Sequence, residues 1–192
     1  EAVDSSFNMI TVDGDTSTND TVLLMANGKA GNPKIVDKNG DYNKFLEALK
    51  KECQELAKKI VKDGEGATKL IEVKVKGSPD VVTGKSLARG VLDSNLVKTA
   101  FFGEDANWGR IVTALGNSGV DFQPEKVDIF LGEMQVASKG RGIPFSEEKA
   151  KKILQRKEVY VTIDLNLGKE EVIAWGCDLS YEYVTINGSY RS

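Results

Sequence analysis

The sequence predicts an α+β fold with mixed, mainly antiparallel sheets packed with helices. Three observations predict it. Apolar residues recur every three or four positions across 41–62, the period of an amphipathic helix. They alternate strictly in Ile71-Glu72-Val73-Lys74-Val75-Lys76, the period of a half-buried strand. About four helical and eight strand segments then follow one another without the regular strand–helix–strand alternation of a parallel sheet.

Taken in order, Phe7 to Val12 reads as a short strand, and Thr21 to Ala26 as a buried one. Between them lies a dense polar loop, Asp13 to Asp20. Its alternating carboxylates and hydroxyls resemble a calcium loop, but Thr18 stands where the sharp-turn glycine is needed and Leu24 where the bidentate Glu belongs. A loop held by its own local hydrogen bonds is the better reading. Lys29 to Asn39 is rich in Gly, Asn and Lys and reads as surface loop. In the helix 41–62, Phe45, Leu49, Cys53, Leu56 and Ile60 form a stripe expected to pack into the core.

A second helix is expected over about Asp80 to Asp93, then a strand over Leu96 to Phe102. Asp105 is a candidate cap for a helix running to about Asn117. Near its start, Trp108 and Arg110 either pack together, reach a ligand or simply anchor the helix. Val127–Leu131 and Met134–Ser138 read as short strands around a turn at Gly132. Lys139-Gly140-Arg141-Gly142 is a basic turn without the Walker spacing. Ser146 caps a helix from Glu147 to Gln155, whose early acids and later bases suit its dipole. Val159–Leu167 and Val172–Ile186 read as a hairpin turning at Gly168-Lys169. The whole, 1–192, reads as a single unit, with 120–192 a candidate subdomain.

The 192 residues are 40% apolar and 29% charged, with a net charge of −3. Such a chain buries roughly 70% of its unfolded surface and needs no disulfide or metal to hold it together. Acidic and basic residues are interspersed, which argues against a nucleic-acid surface. No apolar run is long enough to span a bilayer. Cys53 and Cys177 read as buried small hydrophobes of a reducing compartment. Histidine is absent, which removes Ser-His-Asp triads, Cys-His dyads and most zinc sites. Any catalysis must use another base. The first residues are not a signal peptide, and the absence of an initiator Met suggests a piece of a longer translation product.

One stretch stands apart: Asp63-Gly64-Glu65-Gly66-Ala67-Thr68-Lys69, where the long helix stops and the alternating strand begins. Two glycines flank one carboxylate, so Glu65 is presented on a tight corner that a ligand can approach. On this stretch alone, a helix stop with a solvated charge is the simpler reading.

Several stretches together resemble one family. They are ITVDGDTSTNDT at 10–21, GEGATK at 64–69, FGEDANWGR at 102–110, SGVDF at 118–122, AWGCDLSY at 174–181 and INGSYRS at 186–192. In this order they resemble the β subunit of the bifunctional ornithine acetyltransferase/N-acetylglutamate synthase of arginine biosynthesis, the ArgJ family. The resemblance covers essentially the whole chain. It implies a layered, DmpA-like architecture, and a precursor that cleaves itself before a threonine. That threonine becomes the nucleophile, with its own α-amino group as base. Acetyl then passes from N-acetylornithine to the threonine and on to glutamate, and some members accept acetyl-CoA instead. No metal or cofactor is implied. The implied partner is the α chain of the same precursor, in a heterotetramer of two α and two β chains, and the implied location is cytoplasmic. The α chain would supply the oxyanion hole.

By the same resemblance Glu65, Asn187 and Ser192 match substrate-contacting positions, with Ser192 replacing the usual threonine. The nucleophilic threonine is expected upstream of Glu1, so no catalytic residue is expected in this chain. Two other readings remain: a related N-terminal-nucleophile aminopeptidase or amidohydrolase, and a non-catalytic ligand-binding fragment. Dependence on a glutamate acceptor separates the first from a transferase.

Overall fold

A computed structural model describes residues 1–189. Its six α-helices are α1 (Gly40–Lys62), α2 (Val81–Leu92), α3 (Asn95–Phe102), α4 (Trp108–Gly116), α5 (Glu147–Leu154) and α6 (Tyr181–Ser189). Its six strands are β1 (Leu70–Ser78), β2 (Asp128–Leu131), β3 (Met134–Ser138), β4 (Arg141–Gly142), β5 (Glu158–Asp164) and β6 (Glu170–Cys177). The strands form one sheet in the order β4-β3-β2-β5-β1-β6. All neighbours run antiparallel except β1 and β5, which are parallel. This is the expected α+β class.

The alternation in β1 separates two faces. Ile71, Val73 and Val75 are buried, and on β6 they stand opposite Gly176, Ala174 and Val172. α2 lies directly on this face. A Cβ on Gly176 would sit 2.9 Å from Leu92 of α2, and one on Gly84 of α2 would sit 2.8 Å from Val172. α2 owes its start to Asp80, whose carboxylate accepts from the Thr83 amide. On the opposite face, Trp175 donates its Nε1–H to Glu72 at 2.7 Å, and Lys58 of α1 lies over the Trp175 ring at 5.3 Å. The sheet is therefore sandwiched at its β1–β6 side between α2 and α1.

α1 starts at Asn39, whose side chain accepts from the amides of Asp41 and Tyr42. It buries Cys53, Ala57 and Val61, one residue per turn. The expected stripe is thus displaced around the helix. Cys53 is inside, but Phe45, Leu56 and Ile60 are 54%, 50% and 46% exposed. Small residues face the sheet because the helix packs close there, and the larger apolar side chains point away.

Other expectations also change. Phe7–Val12 is not a strand: two 3-10 turns, Val3–Ser5 and Phe7–Met9, lead to a single bridge from Ile10 to Trp175. The Ser6 hydroxyl, donating to the Ala2 carbonyl at 2.7 Å, favours this local winding. Thr21–Ala26 forms no strand and is exposed. Leu96–Phe102 is helix α3. Ser94 caps it, and Val97, Lys98, Ala100 and Phe101 share its buried side, at helical spacing. α4 is capped by Asn107 rather than Asp105. Trp108 packs on Gly142, where an added Cβ would lie 2.5 Å from the ring. Arg110 donates to the Leu96 carbonyl at 2.8 Å and so ties α4 to α3. β5 and β6 are no hairpin, because β1 inserts between them and pairs with both. β6 ends at Cys177, and Tyr181–Ser189 is helix rather than strand.

Lys98 closes the structure at the end of β6. It is 1% exposed, and its ammonium donates to the carbonyls of Val12 and Cys177, both at 2.6 Å. Together with the Thr11 amide, which donates to the Trp175 carbonyl at 3.0 Å, this side chain holds the segment after the 3-10 turns against β6. Replacing Lys98 by Met keeps the apolar stem and leaves two carbonyls without their charged donor. Equilibrium urea unfolding is expected to show a loss of about 2–4 kcal/mol, with an unchanged denaturant slope.

Candidate functional site

The corner after α1 is built by backbone geometry. The Asp63 and Gly64 amides still donate to helix carbonyls, Lys59 and Val61 respectively. Ala67 then donates to the Gly64 carbonyl at 2.9 Å, closing a turn around Glu65 and Gly66. Gly66 has φ +68°, and a Cβ there would lie 2.5 Å from the Tyr183 amide nitrogen. Both the backbone sign and the close approach demand glycine. Glu65, between Gly64 and Gly66, is exposed.

The stretch following β6 faces this corner. The Asp178 carboxylate, in a residue 2% exposed, accepts from the amides of Thr68 at 2.8 Å and Lys69 at 2.9 Å. It also accepts from the Thr68 hydroxyl. The Ser180 hydroxyl donates to the Gly66 carbonyl at 2.6 Å. α6 begins one residue later and carries Asn187 to the corner, where its amide donates to Glu65 at 2.5 Å and to the Tyr183 carbonyl at 3.0 Å. The structure thus brings Glu65 and Asn187 together from positions far apart in sequence. Ser192 lies outside the described residues.

The polar loop reaches the same place. The Tyr183 hydroxyl donates to Asp13 at 2.9 Å. This bond, with desolvation and the Asp13 charge behind it, pushes the Tyr183 phenol up to about 12. Thr11 donates to Asp93 at 2.6 Å, and its hydroxyl accepts from the Gly14 amide. Further along, the Asn19 and Asp20 amides both donate to the Ser17 hydroxyl, the local bonding expected of this loop. Cys177 is buried, which raises its thiol above the ordinary value despite the opposing Lys98 charge. It is a packed side chain rather than a reactive one.

The site therefore offers the exposed Glu65 carboxylate joined to the Asn187 amide, beside a second exposed carboxylate, Asp13, that is tied to the Tyr183 phenol. A carboxylate so placed suits an ammonium group, and the amide can give or accept a hydrogen bond. Among the described residues, no group of three or more Asp, Glu, Cys or His side chains is gathered for a metal. Nor is any helix among them long and apolar enough to cross a membrane.

Asp178, Ser180 and Tyr183 lie in a stretch that the alternating pattern assigns to a strand, so the pattern does not mark them. The signal was present. The apolar run ends at Cys177, and Asp-Leu-Ser before Tyr181 is composed like a helix start.

With the corner and its partners in place, comparison with known proteins is decisive. The ArgJ family model matches residues 1–192. The chain belongs to the ArgJ family. It is 56% identical, over 100% of its length, to the arginine biosynthesis bifunctional protein ArgJ of Symbiobacterium thermophilum, of which it covers 48%. It is 52% identical to the protein of that name from Thermotoga neapolitana, covering 49% of it. The crystal structure of arginine biosynthesis bifunctional protein ArgJ from Bacillus halodurans superposes with a TM-score of 0.95 at 45% identity. That match covers 98% of this chain and 89% of the other. The chain spans about half the length of the curated relatives it matches.

The Tyr183 phenol titrates in a way that can be measured. Its folded pKa is raised from the ordinary 10 to about 12. The stabilisation that it contributes is therefore complete below pH 10 and is lost as pH rises through about 12. Alkaline difference spectra of wild type against Tyr183→Phe should show this phenolate forming near pH 12, and Asp13→Asn should move it down towards 10. Titration near 10 in the wild type would contradict the bond to Asp13.

Proposed function

We propose that this chain is the β portion of an arginine-biosynthesis acetyltransferase that moves acetyl from N-acetylornithine to glutamate. The observation that carries the reading is the Glu65–Asn187 pair. Two residues that match substrate-contacting positions of the family, separately in sequence, meet on one open corner. Membership of the family supplies the reaction class.

The chemistry runs in two balanced steps. The hydroxyl of the threonine expected upstream attacks the amide carbonyl of N-acetylornithine, and its own α-amino group takes the proton. The tetrahedral intermediate collapses to an acetyl-threonine ester, and the proton passes to the departing amine of ornithine. The α-amine of glutamate then attacks the ester, forms N-acetylglutamate and returns the threonine hydroxyl. Within this chain, Glu65 pairs with an ammonium group of the substrate and Asn187 bonds a neighbouring polar atom. Ser192 is assigned a third contact. Acetyl-CoA is a second donor candidate, and no cofactor or metal is invoked.

The partner is the α chain, the other half of the precursor, in a heterotetramer. It contributes the oxyanion hole. Apolar surface supports a large interface. Val22, Leu23, Leu24 and Met25 are 51%, 79%, 71% and 89% exposed, and Phe45, Leu56 and Ile60 of α1 are also exposed. The enzyme is assigned to the cytoplasm, in keeping with its free, buried cysteines.

The test uses the complete self-cleaved enzyme with N-acetylornithine as donor. Ornithine release should require glutamate. Release at the same rate without glutamate would place the protein among the amidohydrolases, and no release from correctly cleaved enzyme would overturn the substrate assignment. Glu65→Gln should lower kcat/KM for N-acetylornithine by roughly 10- to 100-fold, the worth of a charge-assisted hydrogen bond. An unchanged value would remove Glu65 from the site.

A further inference from the structure

Glu65 is flanked by two glycines, so the local turn closed by Ala67 and Gly64 is all that its own stretch supplies to hold it. The further restraints come from elsewhere in the chain. The Gly66 carbonyl is held by Ser180 at 2.6 Å. The Thr68 and Lys69 amides are held by the buried Asp178 carboxylate, with the Thr68 hydroxyl as a third donor. The Gly66 Cα packs so closely on the start of α6 that a Cβ would meet Tyr183 at 2.5 Å and Ser180 at 2.9 Å. Each of these tertiary restraints comes from 178–183. The same stretch launches α6, which delivers Asn187 to Glu65.

We propose that Asp178 and Ser180 are positioning residues that set the geometry of the Glu65–Asn187 pair for the donor substrate. They touch main chain and a hydroxyl rather than the exposed face of the site, so they act through Glu65. Both residues are buried, Asp178 at 2% and Ser180 at 7% exposure, which keeps these bonds away from competing water. A carboxylate that must meet an ammonium group works only within about half an ångström of its productive place. A corner with two glycines reaches that precision only when clamped. The inference rests on the reading of Glu65 as a substrate-contacting carboxylate.

A double-mutant cycle in the complete enzyme tests it. Ser180→Ala removes one hydroxyl and leaves the carboxylate clamp in place. It should raise KM for N-acetylornithine roughly five- to tenfold with kcat little changed, as expected for one lost hydrogen bond. Ser180→Thr keeps the hydroxyl and should restore most of the loss. In a Glu65→Gln background, Ser180→Ala should cost little more, because the group that it positions is already disabled. Asp178→Asn should show the same coupling, with a larger single effect. A merely structural role would lower thermal stability and act independently of Glu65, so additive losses across the cycle would overturn the inference. So would an unchanged KM in Ser180→Ala beside a clear effect of Glu65→Gln. If Glu65→Gln itself has no effect, the functional reading of Glu65 fails, and the positioning role falls with it.

Discussion

The buried carboxylate of Asp178 is the constraint around which the site end of this molecule is arranged. Taking a charge out of water is costly unless hydrogen bonds replace hydration. Asp178 meets that condition with two main-chain amides and one hydroxyl, all from Thr68 and Lys69. Those donors belong to the corner after α1, so satisfying the charge also fixes the corner. One residue earlier, the Cys177 carbonyl receives the buried Lys98 ammonium, which also binds Val12. The end of β6 is therefore a junction where three separate stretches, 11–13, 64–69 and 178–183, are held by two buried charges. Glu65, Asp13 and Asn187 project from these stretches, and Tyr183 links the last to the first.

Much of the scaffold was legible in the sequence because local period and caps agree with tertiary packing. α1, α2, α5, β1 and β3 fall close to where their apolar patterns put them. The failures have separate physical causes. α3 is eight residues long and apolar on both sides of any strand pattern, so its period cannot be distinguished locally. The expected hairpin does not form because β1, apolar on its buried face, lies between β5 and the edge strand β6. β5 and β6 pair with it rather than with each other. The stripe on α1 is apolar as the sequence shows, yet Ala57 and Val61 rather than Leu56 and Ile60 are buried, since periodicity does not say which side chains a given neighbour will cover.

The site was legible in a different way. Glycines around a carboxylate made Glu65 visible, and family resemblance marked Asn187. Neither spoke of the other. Their meeting depends on β6 stopping at Cys177 and on the chain turning into α6, where the sequence pattern continues a strand. The residues that make the turn, Asp178 and Ser180, are ordinary capping types whose importance lies in partners more than a hundred positions away.

Hydrogen exchange at the Thr68 and Lys69 amides of the complete enzyme tests the central claim most directly. Both lie before β1 begins, and both donate to a buried carboxylate instead of to a ladder. If Asp178 clamps the corner, these two amides will exchange as slowly as those of β1, and Asp178→Asn will speed them selectively. Exchange as fast as in the exposed loop around Lys29–Asn39 would show that the corner is not held, and the account of how Glu65 is positioned would be wrong.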